Sequence, residues 1–130
     1  MKASIIASTL AIFGSALAFP TAPQTQTQTL FTIQLTNDFS GANAIRSVAV
    51  NNTPTTFSTL FTGTILVKNG AVIATSVQNV NPQGNAQCVI KNAVGAEVGR
   101  INNQKTFLDL DGDVTKAVET DVSAFTITCF

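Results

Sequence analysis

The sequence contains no histidine, no tryptophan and no tyrosine. Each absence removes chemistry. Without an imidazole there is no Ser-His-Asp triad, no Cys-His nucleophile, and no zinc site built on histidine. Sugar sites that stack their ligand on Trp or Tyr lose that platform, and Phe is the one aromatic type left. Charge is scarce as well: seven basic and seven acidic residues make up 11% of 130. With no basic cluster to neutralise phosphates, nucleic acid is a poor partner. Polybasic attachment to a membrane surface fails on the same ground. No apolar run approaches the ~20 residues needed to span a bilayer.

What is present begins with an export signal. Lys2 supplies a positive charge, an apolar stretch runs from Ile5 to Leu17, and Ala16-Leu17-Ala18 gives the small-x-small pattern of a cleavage site. Charge, apolar core and cleavage site in that order predict a secretory signal over residues 1–18. The protein is expected to be secreted and extracellular. Residues 19–29 include Gln24-Thr25-Gln26-Thr27-Gln28-Thr29, with no apolar side chain to offset the entropy of ordering. They are expected to form a disordered leader or a propeptide. Residues 30–130 then make one β domain.

Cys88 and Cys129 are the two cysteines. In an exported chain one bridge is the default, two buried free thiols being the alternative. The bridge would close a loop of about forty residues, worth about 4 kcal/mol in the chain-entropy picture.

From Leu30 the pattern is alternation. Phe31, Ile33 and Leu35 share one face and Thr32, Gln34 and Thr36 the other, as in a half-buried strand. A loop at 37–44 follows, then a strand from Ile45 to Val50 with Val48 and Val50 inward, broken at Asn51-Asn52-Thr53-Pro54. Asn69-Gly70 sits between apolar runs and predicts a type I′ hairpin, pairing Val67 with Val72 and Ile65 with Ala74, with its second arm running to Val77. Further strands are read at Ala86–Lys91, with Cys88 and Ile90 on one side, at Val98–Ile101, and at Ser123–Phe130, with Phe125, Ile127 and Cys129 aligned. Asp111-Gly112 marks a second hairpin between Lys105–Leu110 and Asp113–Val118; a helical turn over 113–122 is the alternative. The fold class is therefore all-β: a compact antiparallel β-sandwich or β-barrel of seven to nine short strands with one inward-facing disulfide.

Carboxylates are the remaining source of chemistry. Two of them flanking a glycosidic bond would make a small hydrolase. Asp109, Asp111 and Asp113 form the densest cluster and are weak candidates for a hard cation such as calcium. An EF-hand does not fit, because its sixth and twelfth places, counted from Asp109, hold Val114 and Thr120. The plain reading is a solvated hairpin tip, and no cofactor and no metal is assigned. Asn51-Asn52-Thr53 is an N-glycosylation acceptor pattern with Asn51 as the candidate residue. Arg46 and Arg100 read as isolated strand residues, and the phenylalanines as mostly inward.

The stretch Phe31-Thr-Ile-Gln-Leu-Thr-Asn-Asp-Phe-Ser-Gly-Ala-Asn-Ala44, the signal, and a late strand ending in Cys129 resemble small secreted proteins of filamentous ascomycete fungi. The chain looks like the hypersensitive-response-inducing elicitors of plant-associated fungi. The resemblance runs loosely from Phe31 to Cys129. It implies a compact β-fold, an apoplastic location and no catalytic site, and it transfers no functional residue. The function expected is that of a non-catalytic fungal effector or elicitor binding a host plant protein or cell-wall component, through loops 37–44 and 51–56. The alternatives are a wall-associated structural or glycan-binding protein, and the small carboxylate hydrolase.

Overall fold

The computed structural model describes residues 29–130. The predicted signal, 1–18, and all of the predicted leader except Thr29 lie outside the described residues.

The first strand, β1 (Leu30–Asn37), alternates as its sequence requires, with Phe31, Ile33, Leu35 and Asn37 buried and the residues between them partly open. It pairs antiparallel with β2 (Ala42–Ala49), Ile33 lying opposite Arg46. The connecting turn is short. Gly41 N–H donates to the Asn37 carbonyl at 2.8 Å, and Gly41 adopts φ 82°, which a side chain would strain. The loop expected over 37–44 is thus a tight turn at 38–41, its last residues having joined β2.

After β2 the chain turns through Asn52 (φ 58°) into β3 (Thr55–Thr56) and one helical turn, α1 (Phe57–Leu60). The Thr56 hydroxyl caps that turn, accepting from the Thr59 amide at 3.3 Å. The sequence reading placed no helix here. Four residues carry too little periodicity to be seen, and the turn is held by burying Phe57 and the following Phe61 edge to face, centroids 5.8 Å apart. The loop expected over 51–56 shrinks accordingly, Thr55 and Thr56 being paired with Ile127 and Thr126.

The hairpin at Asn69-Gly70 forms as expected. Both residues have positive φ, 54° and 81°, and Val67 of β4 (Val67–Lys68) faces Val72 of β5 (Ala71–Ala74). The expected Ile65–Ala74 pair does not form. Ladder bonding stops at the Leu66 carbonyl, Ile65 is exposed, and Ala74 pairs with Thr120 on the other side. The arm expected to run from Ala71 to Val77 is two strands, β5 and β6 (Ser76–Asn79), which belong to different sheets. Thr75 is the crossing point.

The remaining strands are β7 (Cys88–Lys91), β8 (Glu97–Ile101), β9 (Phe107–Asp109), β10 (Thr120–Asp121) and β11 (Thr126–Cys129). Asp111-Gly112 is not a hairpin tip. β9 pairs with β6, while residues 113–118 form neither the second arm nor a helical turn and lead to β10 beside β5.

Eleven strands among the described residues build three antiparallel sheets, in the orders β2-β1-β6-β9, β10-β5-β4 and β3-β11-β7-β8. The count exceeds the expected seven to nine because one predicted strand divides at Thr75 and two-residue strands, β3 and β10, form where none was read, while the arm read at 113–118 does not form. The sheets are open, so of the two expected architectures the closed barrel is not formed. A single apolar core lies between them, drawing Ile33 and Leu35 from the first sheet, Val72 and Ala74 from the second, and Ile90 and Ile127 from the third.

Cys88 and Cys129 are bonded, face each other directly across β7 and β11, and are fully buried. Their neighbours Gln87 and Phe130 exchange both amide bonds, at 3.0 and 2.9 Å. The cysteines therefore occupy a pair with no hydrogen bonds between them, the register at which strands approach most closely. Their Cα atoms are 4.0 Å apart. The phenylalanines divide: Phe31, Phe57, Phe61 and Phe125 are buried, whereas Phe39, Phe107 and Phe130 are exposed. Arg46 and Arg100 are not isolated. Arg46 Nε donates to the Leu60 carbonyl at 3.1 Å, and Arg100 pairs with Glu97 at 3.2 Å.

Candidate functional site

One end of the molecule gathers the turn 38–41, the segment 65–68 and the long loop 110–119. The turn is organised by Asn37. Its Oδ1 accepts the amides of Phe39 and Ser40, at 3.0 and 3.3 Å, and its Nδ2 donates to Glu119 Oε2 at 2.7 Å. A buried carboxamide with both ends satisfied fixes the turn and ties it to the loop.

Asp38 and Thr75 form a second tie. Thr75 Oγ1 accepts from the Asp38 amide at 3.0 Å and donates to Asp38 Oδ2 at 2.7 Å, and Ser76 Oγ donates to the same oxygen at 3.2 Å. The Thr75 amide donates to the Thr36 carbonyl, and its carbonyl accepts from Leu110, each at 2.8 Å. The crossing residue is therefore saturated with partners.

The loop 110–119 is shaped by its own aspartates. Asp111 accepts from the amides of Asp113 and Val118, at 2.9 and 2.7 Å, closing the loop on itself. Asp113 accepts from the amide and hydroxyl of Thr115, at 2.9 and 2.6 Å. Burial pushes Asp111 upward, but the Val118 and Asp113 amides outweigh it and hold the carboxyl below the usual aspartate range. The Thr115 hydroxyl and amide hold Asp113 low. Burial raises Asp109, assisted by the neighbouring Asp111 carboxyl. The Asn37 carboxamide, aided by Lys68 at 3.3 Å, lowers Glu119.

Two clefts flank the turn. The larger, about 430 Å³, lies between Ser40 and Ala42 on one lip and Ile65 and Val67 on the other, with the Lys68–Glu119 pair at its end. The smaller, about 250 Å³, runs between Asp38 and the loop, with Phe107, Val114 and Lys116 on its walls. Of the ten large apolar side chains exposed among the described residues, Phe39, Ile65, Val67, Val114 and Val118 belong to these segments, and a sixth, Phe107 of β9, lines the smaller cleft. Val114 is 89% exposed, Ile65 75% and Phe39 72%.

All three weak metal candidates, Asp109, Asp111 and Asp113, line the smaller cleft. They do not assemble a cage. Asp113 is turned to Thr115, Asp111 to Val118, and no group of three His, Cys, Asp or Glu side chains among the described residues is placed to hold a metal ion.

Of the two loops expected to bind, 37–44 supplies the wall between the clefts. Loop 51–56 emerges at the opposite end of β2 and does not join it. Asn51 is exposed there, its Oδ1 accepting from the Thr53 amide at 3.1 Å. Sequence reasoning missed Glu119, Lys68 and the apolar rim. Asn37 was visible as a turn residue, but its partner stands 82 positions away.

No family model, no curated protein and no solved structure matches the chain.

Proposed function

We propose that the chain is a secreted, non-catalytic binding protein of the fungal elicitor type, acting on a host or extracellular protein through the cleft-bearing end. The observation that carries this is the convergence of exposed apolar side chains on one set of loops. Solvent-facing Phe39, Ile65 and Val114 gain nothing for the fold, and contiguous exposed apolar surface marks interaction sites. Loops held on a rigid frame are where recognition concentrates, and here the frame is three sheets around a disulfide. No helix among the described residues is long and apolar enough to cross a membrane. Infiltrating purified mature protein into leaves tests the reading. Wild-type protein is expected to trigger necrosis or a defence response, and a Phe39→Ser/Val114→Ser variant to lose it. A silent wild type across several hosts, or an equally active variant, overturns it.

A second reading, a wall-associated glycan binder, draws on the solvent face of the first sheet. Ile45, Gln34, Gln78 and Phe107 form one cross-strand row there, flanked by Thr32 with Ser47 and by Thr36 with Asn43. The rows through Gln34 and Thr32 carry no charge and offer hydroxyls and carboxamides, chemistry suited to a neutral polysaccharide, while the row through Thr36 ends on Asp109. Retention on insoluble chitin, glucan or cellulose at ordinary salt would favour it; passage through all three would remove it.

A further inference from the structure

The charges of this protein are sorted along its length in space, although they balance in the sequence. Among the described residues there are seven carboxylate side chains and six cationic ones. Asp38, Asp109, Asp111 and Asp113 line the smaller cleft and Glu119 the larger, while Asp121 pairs with Ile73, another wall residue of the larger cleft. Only Lys68 and Lys116 accompany them. Six anions against two cations leave this end at −4. The rest holds Arg46, Lys91, Arg100 and Lys105 against Glu97 alone, a net +3.

The same end carries the apolar rim, so a partner meets grease and negative charge together. An acidic or neutral partner would face unpaired repulsion or a wasted field, whereas a basic one is both steered in and desolvated against Phe and Val. We infer that the apolar surface around the two clefts docks a basic, apolar-studded segment of the partner protein, with Lys or Arg side chains alternating with aromatic or aliphatic ones. This rests on the cleft-bearing end being the binding surface. Phe39, Phe107 and Val114 receive the apolar side chains, and the carboxylates beside them receive the cations. Carboxylate oxygens arranged in pairs suit guanidinium, which hydrogen-bonds them bidentately.

The test uses three synthetic peptides in which Phe alternates with Arg, with Gln or with Glu, titrated into isotope-labelled mature protein and followed by amide chemical shifts. The Arg peptide should bind about tenfold or more tightly than the Gln peptide. Its shifts should map to residues 38–41, 65–68 and 107–119, and it should weaken as salt rises. Val114→Ser removes an exposed apolar contact, and Asp113→Asn removes a charge while keeping the acceptor oxygen that Thr115 uses. Each should weaken the Arg peptide severalfold, and Glu97→Gln should not. Equal affinity for the three peptides, shifts centred on Lys91 and Arg100, or indifference to Asp113→Asn and Val114→Ser overturns the inference. A leaf response lost in Phe39→Ser/Val114→Ser with no preference for the Arg peptide would sink this inference and leave the proposed function standing.

Discussion

Asn37 and Glu119 meet at 2.7 Å across 82 residues of sequence, and that bond joins the two walls of the larger cleft. Asn37 is buried, so its carboxamide cannot turn to water if the partner is lost.

Asn37→Ala should therefore cost about 1–3 kcal/mol, because it orphans the Phe39 and Ser40 amides as well as Glu119. Chemical denaturation measures the loss. Hydrogen exchange should show it concentrated at 38–41 and 118–120. An unchanged midpoint would mean the tie contributes nothing.

Acid should loosen the loop before the core. Asp111, Asp113, Glu119 and Asp121 are all held below their ordinary values, so each stabilises the fold above the unfolded pKa and loses that contribution as pH falls through the folded one. Asp109 has the opposite sign, since its raised folded pKa makes its ionisation unfavourable to the fold. Four groups against one set the direction. Below the ordinary values of 3.8 for Asp and 4.5 for Glu, the amides of Thr115 and Val118 should lose exchange protection while Ile127 keeps it. Simultaneous loss at all three would contradict the local origin.

Gly99→Ala should destabilise by about 1–3 kcal/mol through overpacking. A Cβ on Gly99 would collide with Leu108 Cδ1 where β8 crosses β9, and Leu108 is itself buried. Pairing the change with Leu108→Ala should recover part of the loss, and thermal melts of the two single variants and the double variant decide it.

Removing the disulfide as Cys88→Ala/Cys129→Ala should lower stability by about 4 kcal/mol, the loop-closure entropy for a separation of 41 residues. Urea unfolding of the double variant checks this. A loss below about 1 kcal/mol would show that the unfolded chain is already constrained.

How far the sequence could be read follows from what each feature depends on. The face of β1, the Asn69-Gly70 turn and the inward aim of both cysteines rest on side-chain parity and local φ preferences, and all were legible. The division at Thr75 was not, because a threonine there is compatible with an unbroken strand. What splits it is the set of bonds to Thr36, Asp38 and Leu110, which come from distant parts of the chain. Asp111-Gly112 has the composition of a hairpin turn, yet Asp111 spends its oxygens on Asp113 and Val118 and builds a wide loop instead. The site suffered most. Asp109, Asp111 and Asp113 were found, but Asp38 and Glu119 were not singled out, and the rim was hidden by the reasonable assumption that Phe belongs inside.

Thr75 also governs how the larger cleft can change its width. One lip hangs from the β2-β1-β6-β9 sheet and the other from β10-β5-β4, and the backbone passes between those sheets at this residue. Thr75 is the shortest of the covalent links between the lips, the others running through residues 50–66 and 110–119. Its bonds to Thr36, Asp38 and Leu110, together with the Asn37–Glu119 latch, therefore resist any change of aperture.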